Sequence, residues 1–179
     1  GPGEEVEALL SSAQQKIEER NWSDAADIAQ KILQLDPENH IGFGALIRSM
    51  IGLNKFTEVK EIIDALAVEI KNSKPVIDAL SSLDASEKAF KAKENIQVLK
   101  ENLKKDPENL DFLLEMAIAL FGNNEIEASF NMLLKSINID REWQDQAARK
   151  QLLEFFTSAG FEAKETINAR RKLATLLFS

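Results

Sequence analysis

Apolar residues recur along the chain at steps of three and four, with polar residues filling the positions between, which is the period of an α-helix that buries one face. Ala25, Ile28, Ala29, Ile32 and Leu33 share such a face, and so do Val59, Ile62, Ile63, Leu66 and Ile70. Leu113, Met116, Ala117 and Leu120 form another, followed by Ala128, Met132 and Leu133. No comparable run alternates with period two, so the pattern predicts no strand. It predicts an all-α chain of about ten helices of roughly 11 to 17 residues with short connections. Between Asn72 and Lys93 the pattern is less regular, although Val76, Ile77, Leu80 and Leu83 still mark an amphipathic helix. Whether 72–105 forms one helix or two is left open by the pattern.

The punctuation repeats. Asp36-Pro37-Glu38-Asn39 recurs as Asp106-Pro107-Glu108-Asn109, an offset of 106 − 36 = 70 residues. Proline disfavours helix at the residue before it, and its fixed φ suits a first helical turn. Each tetrapeptide therefore reads as a helix stop and restart, with Asp36 and Asp106 accepting from free backbone N–H groups and Glu38 and Glu108 favouring the positive helix start. Two turns between paired helices stand 12 residues ahead of such stops, Asn21-Trp22-Ser23-Asp24-Ala25-Ala26 before Pro37 and Gly122-Asn123-Asn124-Glu125-Ile126-Glu127-Ala128 before Asp140. Asn or Gly there supplies the tight turn, while small Ala25 and Ala128 let the paired helices approach. The intervening unit has Gly52-Leu53-Asn54-Lys55-Phe56, with Val59 in the small position.

Composition narrows the chemistry. The 179 residues carry 22 Lys+Arg against 30 Asp+Glu, a net charge of −8, with 44% hydrophobic residues. So acidic a chain is repelled by nucleic acid and by anionic membrane surfaces. No stretch reaches the ~20 apolar residues of a membrane span, and no signal peptide is apparent. Cysteine is absent and His40 is the one histidine, which removes thiol chemistry, thiolate metal sites and imidazole triads. No catalytic constellation, metal site or cofactor motif is visible. Gly1-Pro2-Gly3 reads as the scar of a cleaved tag, with the native sequence resuming inside a longer protein.

A helix–turn–helix unit of about 34 residues, with a small residue opening its second helix and proline after it, resembles a tetratricopeptide repeat. The resemblance implies antiparallel helix pairs stacked as a short right-handed superhelix. On this basis residues 4–179 form one repeat domain: 4–71 two repeats, 72–105 an irregular helical segment, 106–140 a further repeat, and 141–179 a C-terminal helical pair. The last forty residues are more specific. Asp140-Arg141-Glu142-Trp143-Gln144-Asp145, then Ala148-Arg149-Lys150-Gln151-Leu152-Leu153-Glu154-Phe155-Phe156, and finally Arg170-Arg171-Lys172-Leu173-Ala174-Thr175-Leu176-Leu177-Phe178 are similar to the C-terminal end of the bacterial thioredoxin-like co-chaperones YbbN or CnoX. One departure is Gln146, where that family often has Gly. The resemblance implies a cytoplasmic protein-binding module that holds unfolded clients and docks on a chaperonin, its thioredoxin fold lying outside this sequence. The rival readings are an accessory domain of a thioredoxin-type disulfide oxidoreductase and an oligomerisation scaffold.

Candidate contact residues follow. Ile167, Arg170, Arg171, Ala174, Leu177 and Phe178 make an amphipathic terminal helix. Arg170, Arg171, Ala174, Leu177 and Phe178 are the docking candidates; the competing role of this helix is to cap the last repeat. Charge agrees with docking: residues 1–71 have 7 basic and 13 acidic side chains, 7 − 13 = −6, whereas 141–179 have 7 and 5, 7 − 5 = +2. Fold analogy adds Arg48, Ser49, Phe112 and Glu115 as exposed groove candidates for client contact. Trp22 and Trp143 read as packing residues at helix starts, and His40 as an ordinary polar residue.

Overall fold

The apolar period is realised as backbone. The computed structural model describes residues 1–179 and is all-helical, without a strand. Ten of its helices span ten or more residues, and two are shorter. The chain divides into two compact units, residues 1–83 and 84–179.

In the first unit, α1 (Pro2–Glu18) and α2 (Trp22–Leu35) form a hairpin of helices, α3 (His40–Gly52) packs on α2, and α4 (Phe56–Ala65), α5 (Val68–Lys71) and α6 (Lys74–Leu80) follow. Ala13, Ala26, Ala29, Ile32 and Leu46 fill one core; Ile47, Ile51, Val59, Val76 and Ala79 fill the next. The apolar face read over Val59–Ile70 is not one helix. Leu66 and Ala67 are extended at ψ 141° and 147°, and Ile70 re-enters on the short α5. The period survives the break because the chain turns back onto the same core. Ile77, expected on the buried face with Val76, is instead 53% exposed, because Val76 and Ala79 define the inward side of α6.

The second unit holds α7 (Leu83–Ala92), a 3-10 turn at Lys93–Asn95, α8 (Ile96–Lys105), α9 (Leu110–Gly122), α10 (Ile126–Ile139), α11 (Trp143–Ala159) and α12 (Lys164–Phe178). Residues 72–105 are thus several helical segments rather than one. The core of this unit is aromatic: the rings of Phe121 and Phe155 stack at 3.9 Å, and Phe156 meets Phe130 edge-on at 5.2 Å. Such pairs add about 0.5–1.5 kcal/mol each beyond their area burial.

The duplicated tetrapeptide works differently from its sequence reading. Asn39 and Asn109, not the aspartates, cap α3 and α9: Asn39 Oδ1 accepts from Gly42 N at 2.7 Å and Asn109 Oδ1 from Phe112 N at 3.0 Å. Asp36 and Asp106 hold those caps in place, each accepting from the asparagine Nδ2 at 3.1 Å. Pro37 and Pro107 lie in the connection before the helix rather than in its first turn.

The inter-helix turns also share one geometry. Arg20, Asn54 and Asn124 have φ of 55°, 61° and 61°. The residue after each donates its N–H back across the helix end, Asn21 to Lys16 O, Lys55 to Met50 O and Glu125 to Leu120 O. This is a left-handed C-terminal cap of the Schellman type. The small residue opening the second helix is Ala25, Val59 and Ser129, all fully buried. The register therefore falls one residue after Ala128, and Ser129 turns its hydroxyl onto Ala117 O at 2.6 Å.

Candidate functional site

The docking candidates lie on α12, and the fold sorts them by helical angle. Thr166, Ala169 and Leu173 point inward and are buried. Leu176 and Leu177 are partly buried against the aromatic core of the same unit. Ile167, Arg170, Arg171 and Ala174 are exposed on the opposite side, and Phe178 is 88% exposed. The inner face of this helix closes the core, as a cap would, and its outer face is left to solvent. Of the five docking candidates, Leu177 belongs mainly to the inner set.

The approach to α12 is unusual. At the start of α11, Gln144, Asp145 and Gln146 have φ of 46°, 56° and 61°, a left-handed turn of three residues ahead of the right-handed helix. Each such non-glycine residue costs roughly 1–2 kcal/mol relative to the right-handed form. Gln146 is the position where glycine would adopt this conformation without that cost. Lys150 Nζ lies 2.8 Å from Asp145 Oδ2 and holds the Asp145 carboxyl below its ordinary range by hydrogen bond and charge. Arg149 Nη1 donates to Gln146 Oε1 at 3.4 Å. Arg141 reaches across to the end of α12, where its Nη2 donates to Leu176 O at 3.0 Å. The basic excess of this region is therefore spent unequally: Arg141, Arg149 and Lys150 are bound within the fold, whereas Arg170 and Arg171 face outward.

The groove candidates divide between the two units. In the first, Ser49 is fully buried and donates its hydroxyl to Ala45 O at 2.7 Å, so the expectation of an exposed Ser49 is corrected. It lies among the inward positions of α3 beside Ile47 and Ile51, and bonding to its own helix is how a hydroxyl survives there. Arg48 is half-buried with its guanidinium 4.5 Å from the centroid of the Trp22 ring. Loss of water first, and the neighbouring Arg20 charge second, push its pKa down to about 10. Trp22 itself lies against the backbone of Gly52, as a packing role requires. In the second unit, Glu115 is exposed and Phe112 half-buried on α9. His40 is exposed at the start of α3.

No group of three or more metal-ligating side chains is assembled anywhere in the chain, and no helix is long and apolar enough to cross a membrane.

No curated protein sequence matches the chain. Among solved structures, a domain of the Vibrio parahaemolyticus protein VP0806, of unknown function, aligns at 16% identity and a TM-score of 0.48, covering 96% of this chain and 99% of that one. The MamA RS-1 ArsTM double mutant aligns at 11% identity and a TM-score of 0.40, covering 99% and 95%. Residues 90–178 match the family model described as tetratricopeptide repeat. The fold is an all-helical, tetratricopeptide-like one, of a kind that generally binds proteins and typically serves as a non-catalytic scaffold.

Proposed function

We propose that this chain is a protein–protein interaction module whose outward α12 face docks a partner protein. The observation that carries the reading is the division of α12, in which Thr166, Ala169 and Leu173 are committed to the core while Ile167, Arg170, Arg171, Ala174 and Phe178 face solvent. A phenyl ring 88% exposed at the end of a helix, with Arg170 and Arg171 exposed about two turns before it, has the composition of an interface anchor. The resemblance of residues 140–178 to thioredoxin-like co-chaperones supplies the finer reading. In it the partner is a chaperonin, and the remaining surface, with Arg48, Phe112 and Glu115 among its candidates, holds unfolded clients.

Deleting α12 is a poor test, because Leu173 and Ala169 belong to the core. Phe178→Ala together with Arg170→Glu leaves that core intact. Stability should stay within about 0.5 kcal/mol of the parent, as for other surface substitutions. Affinity for a purified chaperonin, read by co-sedimentation and biolayer interferometry, should fall at least about tenfold, the loss of one buried aromatic anchor. Unchanged chaperonin binding by the folded double variant would remove the docking assignment. A stable homo-oligomer by light scattering, with no chaperonin binding by the parent protein, would favour an assembly scaffold instead.

A further inference from the structure

The left-handed turn that leads into α11 has right-handed backbone on both sides. Ahead of it, Asp140 already opens a helix. Its Oδ1 accepts from Glu142 N at 3.0 Å, its carbonyl accepts from Trp143 N at 3.4 Å, and Glu142 stands at φ −92° and ψ −8°. Behind it the right-handed helix continues to Ala159. Gln144, Asp145 and Gln146 alone interrupt one continuous helix, and none of them is the glycine that left-handed backbone favours. Strain of this kind, held in place by its surroundings, is how switch regions are built.

The bonds around the turn show what holds it. Asp145 and Lys150 meet at 2.8 Å although they are five residues apart. In a continuous right-handed helix that spacing sets two side chains about 140° apart around the axis, on different faces. Their bond therefore belongs to the left-handed form alone. Both side chains are largely exposed, so it returns less than three strained residues cost together. The other hold is Arg141, which lies in the short connection 140–142 between α10 and α11 and donates from Nη2 to Leu176 O at 3.0 Å. We infer that residues 144–146 form a two-state latch on the end of α12: wound left-handed, they place Arg141 on the Leu176 carbonyl and keep the last turn of α12 ordered; rewound right-handed, they extend α11 towards Asp140, turn the connection about its axis, and withdraw Arg141 so that the last turn frays. The purpose of the latch, to set how Phe178 is presented, rests on the docking proposed above, whereas its working does not.

The test is amide hydrogen exchange of the intact 179-residue protein, followed residue by residue in nitrogen–proton spectra. Exchange registers an open form even when it is rare. Gln146→Gly removes the left-handed cost and disfavours the right-handed alternative, so the Leu177 and Phe178 amides should exchange at least about fivefold more slowly. Lys150→Met should speed them about twofold to fivefold, the range of an exposed ion pair. Both effects should vanish in an Arg141→Ala background, because the coupling passes through that guanidinium. The amide of Leu173, in the core, should respond in none of these variants, which separates a latch from general loosening of the fold. Intraresidue amide–Hα Overhauser intensities at Gln144 and Asp145, stronger at positive φ, should rise in Gln146→Gly and fall in Lys150→Met. Three results would each overturn the inference: unchanged exchange at Leu177 and Phe178 in Gln146→Gly, the same slowing with Arg141 removed, or a response to Lys150→Met that extends to Leu173. Chaperonin takes no part in the measurement, so a failed docking assay leaves the latch standing, and unchanged exchange leaves docking standing.

Discussion

Asn39 and Asn109 show how much one side chain can organise. Each occupies the last non-helical position, at φ −66° and −67°, accepts from a first-turn amide, and is itself held by an aspartate three residues earlier. Removing either amide leaves a helix start without its acceptor, so Asn39→Ala and Asn109→Ala should each cost about 1 kcal/mol. Urea denaturation with an unchanged m value would register it. Asp→Ala at 36 or 106 should cost less, because the asparagine can still cap unaided. The tetrapeptide was legible as punctuation from its recurrence alone. Which of its four residues caps was not, since Asp and Asn are near-equal formers of caps and only the observed backbone decides between them. The same limit applies to Ser49: the buried positions of α3 include Gly42, Gly44 and Ala45 as well as apolar side chains, and small residues blur the boundary between inside and outside.

At the scale of helix pairs, two glycines exchange the role given them by sequence. Gly52 and Gly122 precede tight turns, yet the left-handed residues are Asn54 and Asn124. The glycines serve close approach instead. A Cβ on Gly52 would fall 2.2 Å from the Trp22 ring, and one on Gly122 would fall 1.8 Å from the carbonyl oxygen of Ala89. A ring can swing aside; a backbone carbonyl cannot. Gly122→Ala should therefore destabilise by at least about 1–3 kcal/mol, the cost of overpacking, and more than Gly52→Ala. Gly3→Ala, with nothing near its Cβ position, is the neutral control, and thermal melts of the three variants rank them. The helices themselves were legible because each buries a stripe at the right period. Breaks such as Leu66–Ala67 were not, since no proline or glycine marks them and the apolar count continues across.

For the whole molecule, two compact units each carry one tryptophan, Trp22 in residues 1–83 and Trp143 in 84–179. Fluorescence in a Trp22→Phe background therefore reports the second unit. Phe155→Ala, which removes a fully buried ring stacked on Phe121, should lower that unit's stability by about 3–5 kcal/mol. The loss should be visible as an earlier denaturant midpoint of the Trp143 signal. The outward face of α12 could be read from sequence because its residues lie within one helix. The packing of α12 on α10 could not, for it joins residues far apart in the chain. One bond described above bears on how the chain's end meets another molecule. Arg141 holds the carbonyl of Leu176, so the final turn is tethered from 35 residues upstream instead of fraying as free ends do. If the proposed docking on Phe178 holds, the backbone beneath that ring is already pinned before a partner arrives, so less chain freedom is lost on binding.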